Sequence, residues 1–130
     1  MDVTVTPSPN DVTVGPLTWP GLRGWANAWP ADYGYGDDDG NYKLGAEVRA
    51  GAEVTVTVGP EARTYAGLSY GQRWSYSPAE SVTFHGCPYR DTAYIGGFQV
   101  KGKRCVPFDI QVGDASPVRV WIGFFAPCPR

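Results

Sequence analysis

Between residues 94 and 125 apolar positions recur at every second residue, through three short runs separated by turns that contain Gly, Lys and Pro. Phe98 and Val100, then Val106, Phe108, Ile110 and Val112, then Val118, Val120, Ile122 and Phe124 each fall on one side of an extended segment, because strand side chains alternate faces. The pattern predicts a β-meander. The alternation also occurs upstream, where Leu44, Ala46, Val48 and Ala50 share a face, as do Val54, Val56 and Val58 before the stop at Gly59-Pro60. Residues 62–68 and 81–85 give two further candidate strands, with a loop over 72–80. Asp-Val-Thr-Val stands at 2–5 and again at 11–14, and Glu-Val-Thr-Val at 53–56. Pro7 and Pro9 lie between the first two copies and lack the donors a continuous ladder needs, so residues 1–14 predict two short strands or an extended N-terminal arm.

The segment from Gly15 to Asn41 breaks the period. Leu22, Trp25, Ala26 and Trp29 have helical spacing between Pro20 and Pro30, which predicts one or two turns of helix, and Gly21 and Gly24 oppose anything longer. Beyond them lies a loop carrying Tyr33 and Tyr35 and ending in Asp37-Asp38-Asp39-Gly40-Asn41. Seven to nine short strands with one Trp-, Gly- and Pro-rich loop region near the N-terminus predict an all-β fold. The expected arrangement is an antiparallel two-sheet sandwich of immunoglobulin-like or jelly-roll type.

Composition agrees with this picture. The chain has 130 residues, the size of one domain over 1–130, with 17 Gly, 12 Pro and one Met. Eleven Lys and Arg against 13 Asp and Glu leave a net charge of −2. The largest basic cluster is the turn with Lys101, Lys103 and Arg104, too small for a nucleic-acid footprint. No run approaches the roughly 18 apolar residues of a transmembrane helix. Three cysteines fit one disulfide and one odd thiol, or three reduced thiols. Abundant Thr, Ser, Gly and Pro favour the disulfide and an extracellular or cell-surface location. The expected bridge is Cys87 to Cys105, which closes 17 intervening residues and is worth about 3 kcal/mol in the chain-entropy description, with Cys128 an alternative partner for either.

Candidate chemistry is sparse. His85 is the single histidine, and its spacing from the three cysteines matches no common zinc site. Asp37, Asp39 and Asn41 could offer oxygens to calcium, but Tyr42 and Val48 stand where an EF-hand loop requires Gly and Glu, so no cofactor is expected. No nucleophile elbow, phosphate loop or His-Glu-x-x-His is present. Asp109, Glu47 and Glu53 are the carboxylates that a glycosidase would draw on, and the overall expectation is a protein that is not an enzyme.

The aromatic residues are the stronger lead, at 14% of the chain. Trp25, Trp29, Tyr33 and Tyr35 lie in the irregular first third, Trp74 in the 72–80 loop, and Trp121 and Phe125 on the face of the last run opposite Val120 and Ile122. Rings on an open sheet face can stack on sugars or fill a protein interface. The competing arrangement folds the Trp-rich segment over that face and buries both sets of rings together.

The stretch from Thr92 to Phe108, with Gly96-Gly97-Phe98 and Cys105-Val106-Pro107, preceded by Val82-Thr83-Phe84 and Cys87-Pro88, resembles a segment of exported or membrane-anchored actinobacterial proteins of unassigned function. The likeness spans residues 44–128 and implies an extracytoplasmic location without implying chemistry. The function expected is an exported binding or structural module, recognising carbohydrate or cell-wall polymer through Trp25, Trp29, Tyr33, Tyr35, Trp74 and Trp121, with a polysaccharide or another protein as the partner. The alternative is a self-assembling β-domain in which the N-terminal arm adds a strand to a neighbour.

Overall fold

The computed structural model describes residues 8–30, 40–70 and 78–129. Apart from two short 3-10 helices, Leu22–Asn27 and Pro60–Ala62, every regular element there is a strand. The strands are β1 (Val12–Val14), β2 (Leu17–Trp19), β3 (Asn41–Lys43), β4 (Ala46–Val48), β5 (Glu53–Val58), β6 (Ala66–Tyr70), β7 (Ser81–His85), β8 (Thr92–Tyr94), β9 (Gly96–Val100), β10 (Arg104–Val112) and β11 (Val118–Phe124). They form three antiparallel sheets, in the orders β1-β2-β4-β8, β3-β9-β6 and β11-β10-β5-β7. The all-β expectation holds; the two sheets expected are three among the described residues. Of the segment 1–14, residues 1–7 lie outside the described residues and Val12–Val14 form β1, with Val12 buried against the core.

The extra sheet arises from a bend. Lys43 pairs with Gly97 and, three residues on, Ala46 pairs with Tyr94, three residues back, so no residue is inserted or lost between the two ladders. The Leu44 N–H still donates to the Gly96 carbonyl at 2.9 Å. The first two sheets are thus joined by one strand pair folded at Leu44-Gly45 and Ile95-Gly96. Glycine is required at the fold: a Cβ on Gly96 would collide with the Ser69 carbonyl and lie 2.9 Å from the Tyr70 Cα. The continuous strand that alternation suggests from Tyr94 to Val100 is therefore divided between two sheets.

All three sheets meet in one core. The Phe98 ring lies 5.6 Å from Trp19 on β2, 5.8 Å from Tyr70 on β6, and 5.7 Å and 5.1 Å from Phe108 and Phe124 on β10 and β11. These mostly tilted and edge-on contacts join an aliphatic layer of Val54, Val56, Val58, Val106, Ile110 and Ile122. A buried polar link also spans the sheets, since the Trp19 indole N–H donates to the Tyr70 hydroxyl at 3.2 Å and that hydroxyl donates to the Leu44 carbonyl at 2.6 Å. Burial raises the Tyr70 pKa well above the usual phenol range.

The third sheet has β5 and β10 at its centre. The Val-Thr alternation of β5 puts its valines inside and its threonines outside, where Thr55 meets Thr83 and Thr57 meets Ser81 at 2.9 Å. Pro107 is tolerated inside β10 because its carbonyl accepts from the Gly59 N–H, so its nitrogen faces the same side, beyond the end of β5. No bond to β11 is lost.

The cysteines pair otherwise than expected. Cys105 on β10 is bonded to Cys128, with Cα atoms 5.0 Å apart, and Cys87 is an exposed free thiol. Cys87 opens the tight turn that ends with its backbone partner Arg90, at the far end of β7 from Cys105's strand neighbours, whereas β11 carries the chain back beside β10 and delivers Cys128 to Cys105.

Candidate ligand-binding surface

The outer side of β10 and β11 shows how sequence positions become surface. Odd-numbered residues of β11 point away from the core, which gives Arg119, Trp121 and Gly123. Gly123 accepts the first 3-10 helix: a Cβ there would lie 2.9 Å from the Ala26 Cβ and collide with the Ala126 carbonyl. The helix is anchored by Leu22 and Trp25, both buried, and its Arg23 guanidinium donates to the Trp121 carbonyl at 3.2 Å. Trp121 and Trp29 consequently flank the helix, one beside its first turn and one just past its last.

Trp25 is not an exposed ring. It is 2% accessible, stacks on Phe125 at 5.5 Å and 20°, and meets Phe124 and Tyr42 edge-on at 6.1 Å and 6.0 Å. Its removal from the binding set is a correction with a clear cause. Phe125 adopts a left-handed backbone with φ 62°, which turns the chain out of β11, lets its N–H donate to the Trp25 carbonyl at 3.0 Å and slides its ring against Trp25. At this point the Trp-rich segment and the end of β11 bury their rings against each other, as in the arrangement that covers the open face.

Trp29 and Trp121 do remain at the surface, 69% and 47% accessible. Each has a cation beside its ring: Lys103 Nζ lies 5.0 Å from the Trp29 ring centre and the Arg119 guanidinium 5.7 Å from that of Trp121. Tyr33, Tyr35 and Trp74 lie outside the described residues, as do Asp37 and Asp39. Asn41, the remaining oxygen donor named for calcium, opens β3 opposite Gln99. Among the described residues no three His, Cys, Asp or Glu side chains are grouped to hold a metal ion.

Arg119 organises the charges on this face. Its Nε and Nη2 meet the two Asp109 oxygens at 2.9 Å and 3.1 Å, and its Nη1 meets Glu61 at 2.7 Å. The shared guanidinium lowers the pKa of both carboxyls, so both are ionised at neutral pH and neither is a general acid. Asp109 pairs in register with Thr57, four residues from Glu53, which places Glu53 about 13 Å away at ~3.3 Å per residue, too far for a glycosidase pair. Glu47 lies on β4 in a different sheet, and its pKa is raised by partial burial and by Asp11 and Asp91.

Sequence reasoning missed Arg119 as an organising residue and Tyr89, which is 97% accessible in the turn after Cys87. Tyr89 had a local signal, since it follows Pro88 in a turn. Arg119 had none, because its partners come from β10 and from the 3-10 turn after β5.

No family model matches the chain, and no match is found among curated proteins or solved structures. No helix among the described residues is long and apolar enough to cross a membrane.

Proposed function

We propose that this protein is an exported, non-catalytic binding module that recognises polysaccharide at a surface centred on Trp29 and Trp121. The observation that carries the reading is the pair of large exposed rings held at the two ends of one short helix. Arg23 ties down the Trp121 main chain through its carbonyl, and the Arg119 guanidinium lies 5.7 Å from the ring centre, so the base from which the ring is presented is already ordered before a sugar stacks on it. The Asp109, Glu61 and Arg119 array beside Trp121, together with the Thr57 and Ser81 hydroxyls, supplies donors and acceptors for sugar hydroxyls. The Cys105 to Cys128 bridge accords with an oxidising location, and the resemblance of residues 44–128 to exported actinobacterial proteins belongs to the same reading. We also read the sheets built on β3-β9-β6 and β11-β10-β5-β7 as the two layers of a sandwich, because Phe98 faces Phe108 and Phe124 across them.

The test is a panel of soluble and insoluble polysaccharides followed by tryptophan fluorescence and pull-down. Binding is expected to weaken at least about tenfold in Trp29→Ala or Trp121→Ala, the loss of one hot-spot ring. No response to any polysaccharide would remove the reading.

A second reading, strand addition, is favoured by the open edge of β11. Arg23 occupies the Trp121 carbonyl, so odd-numbered peptide groups face away from β10, and the Arg119 N–H and carbonyl have no partner among the described residues. Light scattering with and without residues 1–7 tests this, because removing residues 1–14 would also remove β1 and the buried Val12.

A further inference from the structure

The tight turn between β9 and β10 places three cations, Lys101, Lys103 and Arg104, within four residues, and all three are exposed. Gly102 at φ 81° makes the turn possible. The ion pairs among the described residues join Arg63 to Glu80 and Arg119 to Glu61 and Asp109; none reaches this turn. In a chain with net charge −2 the protein thus gathers positive charge at one corner, where it has no carboxylate partner among the described residues. We propose that this corner binds a polysaccharide bearing carboxylate groups, which rests on the polysaccharide reading above and names the chemical class of its ligand.

The geometry supplies the parts such a ligand needs. The Arg104 guanidinium lies 4.1 Å from the Tyr65 ring centre, and its Nε donates to the Lys101 carbonyl at 2.6 Å. Stacked and held at one edge, it presents its two terminal nitrogens as a ready fork for the two oxygens of a carboxylate. The turn is tied at its base, since the Lys101 N–H donates to the Tyr65 carbonyl at 2.9 Å and Cys105, the next residue after Arg104, is bridged to Cys128. Lys103 stands over Trp29, whose exposed ring offers the sugar a stacking plane beside the charge. One acidic sugar can therefore meet a ring and a cation together, and the next along the chain can meet a second cation. A neutral polymer would use only the rings.

The experiment compares polygalacturonate with its fully methyl-esterified form, polymers that differ in charge, by calorimetric titration of the intact protein. Polygalacturonate should bind at least about tenfold more tightly, and the advantage should vanish between about 0.01 M and about 1 M salt, as the screening length falls from roughly 30 Å to roughly 3 Å. The combined variant Lys101→Gln, Lys103→Gln and Arg104→Gln should lose that preference while keeping its weaker affinity for the ester. Lys103→Gln alone, remote from the buried core, should lose part of it and guards against a folding defect in the combined variant. Equal affinity for the two polymers, or an unchanged preference in both variants, would overturn the proposal while leaving polysaccharide binding intact. Failure to bind either polymer, or any on the wider panel, would remove both readings.

Discussion

Replacing Tyr70 by phenylalanine removes one oxygen that serves a buried partner, Trp19, and a half-buried one, Leu44. The Trp19 indole N–H, on a residue with no accessible surface, loses its acceptor at 3.2 Å, and the Leu44 carbonyl loses its donor at 2.6 Å. A buried polar group left unsatisfied costs about 1–3 kcal/mol, and the longer indole bond sits at the low end of that range. The phenol's own desolvation is relieved in the variant, which offsets part of the loss. The expected destabilisation is about 2–3 kcal/mol, a shift of roughly 1–2 M in the urea midpoint for an ordinary slope. Tryptophan fluorescence would follow the transition, and an unchanged slope would show that the effect lies in the folded state. Trp19→Phe in the Tyr70→Phe background should then cost less than it does alone, because the orphaned donor disappears. A loss below about 0.5 kcal/mol, or strict additivity of the two changes, would refute the claim that this hydroxyl joins the sheets. The same residue sets an alkaline limit. Its folded pKa lies above the ordinary value of 10.0, so below that pH the contribution is complete. Above it the unfolded chain ionises first and stability falls by up to about 1.4 kcal/mol per pH unit, a slope that Tyr70→Phe should reduce.

Cys105→Ser should lower stability by about 3 kcal/mol through loss of a bridge between residues 23 apart, whereas Cys87→Ser should change it little; alkylation of the unreduced protein should modify Cys87 alone. Gly123→Ala should destabilise by about 1–3 kcal/mol, read as a lowered urea midpoint, because the added methyl pushes the first helix off β11. Ser69→Ala should be neutral or stabilising by up to ~1 kcal/mol, since the buried Ser69 hydroxyl has no hydrogen-bond partner among the described residues. Arg119→Met should weaken acid sensitivity, because the lowered pKa values of Asp109 and Glu61 make their contribution present above the usual carboxylate range and lost as pH falls through it.

Alternation made the third sheet readable in advance: Val54, Val56, Val58, Val106, Phe108, Ile110, Ile122 and Phe124 line the core as their spacing implies, and the exception is Val118, which at the outer end of β11 is 55% exposed. The bend between the first two sheets was hidden, because a period of two reports which face a residue occupies and carries no record of a change of sheet at Leu44-Gly45 and Ile95-Gly96. The disulfide was hidden for a related reason, since only the pairing of β11 with β10 brings Cys128 to Cys105. Trp25 and Trp121 looked alike in the sequence. What separates them is Phe125, whose left-handed backbone covers one tryptophan and leaves the other bare, a tertiary event that no local pattern encodes.

The central place of β5 bears on how the chain is made. Its neighbour β10 pairs Val112 with Val54 and so leaves the ribosome more than fifty residues later, a wait of several seconds at about 5–20 residues per second. Throughout that interval the nascent Val-Thr-Val-Thr-Val segment presents an apolar, β-prone face to any other unfinished chain. Glu53 at one end and Gly59-Pro60 at the other act as gatekeepers during synthesis, and chains that lose them should be recovered in inclusion bodies even where the finished fold would tolerate the change.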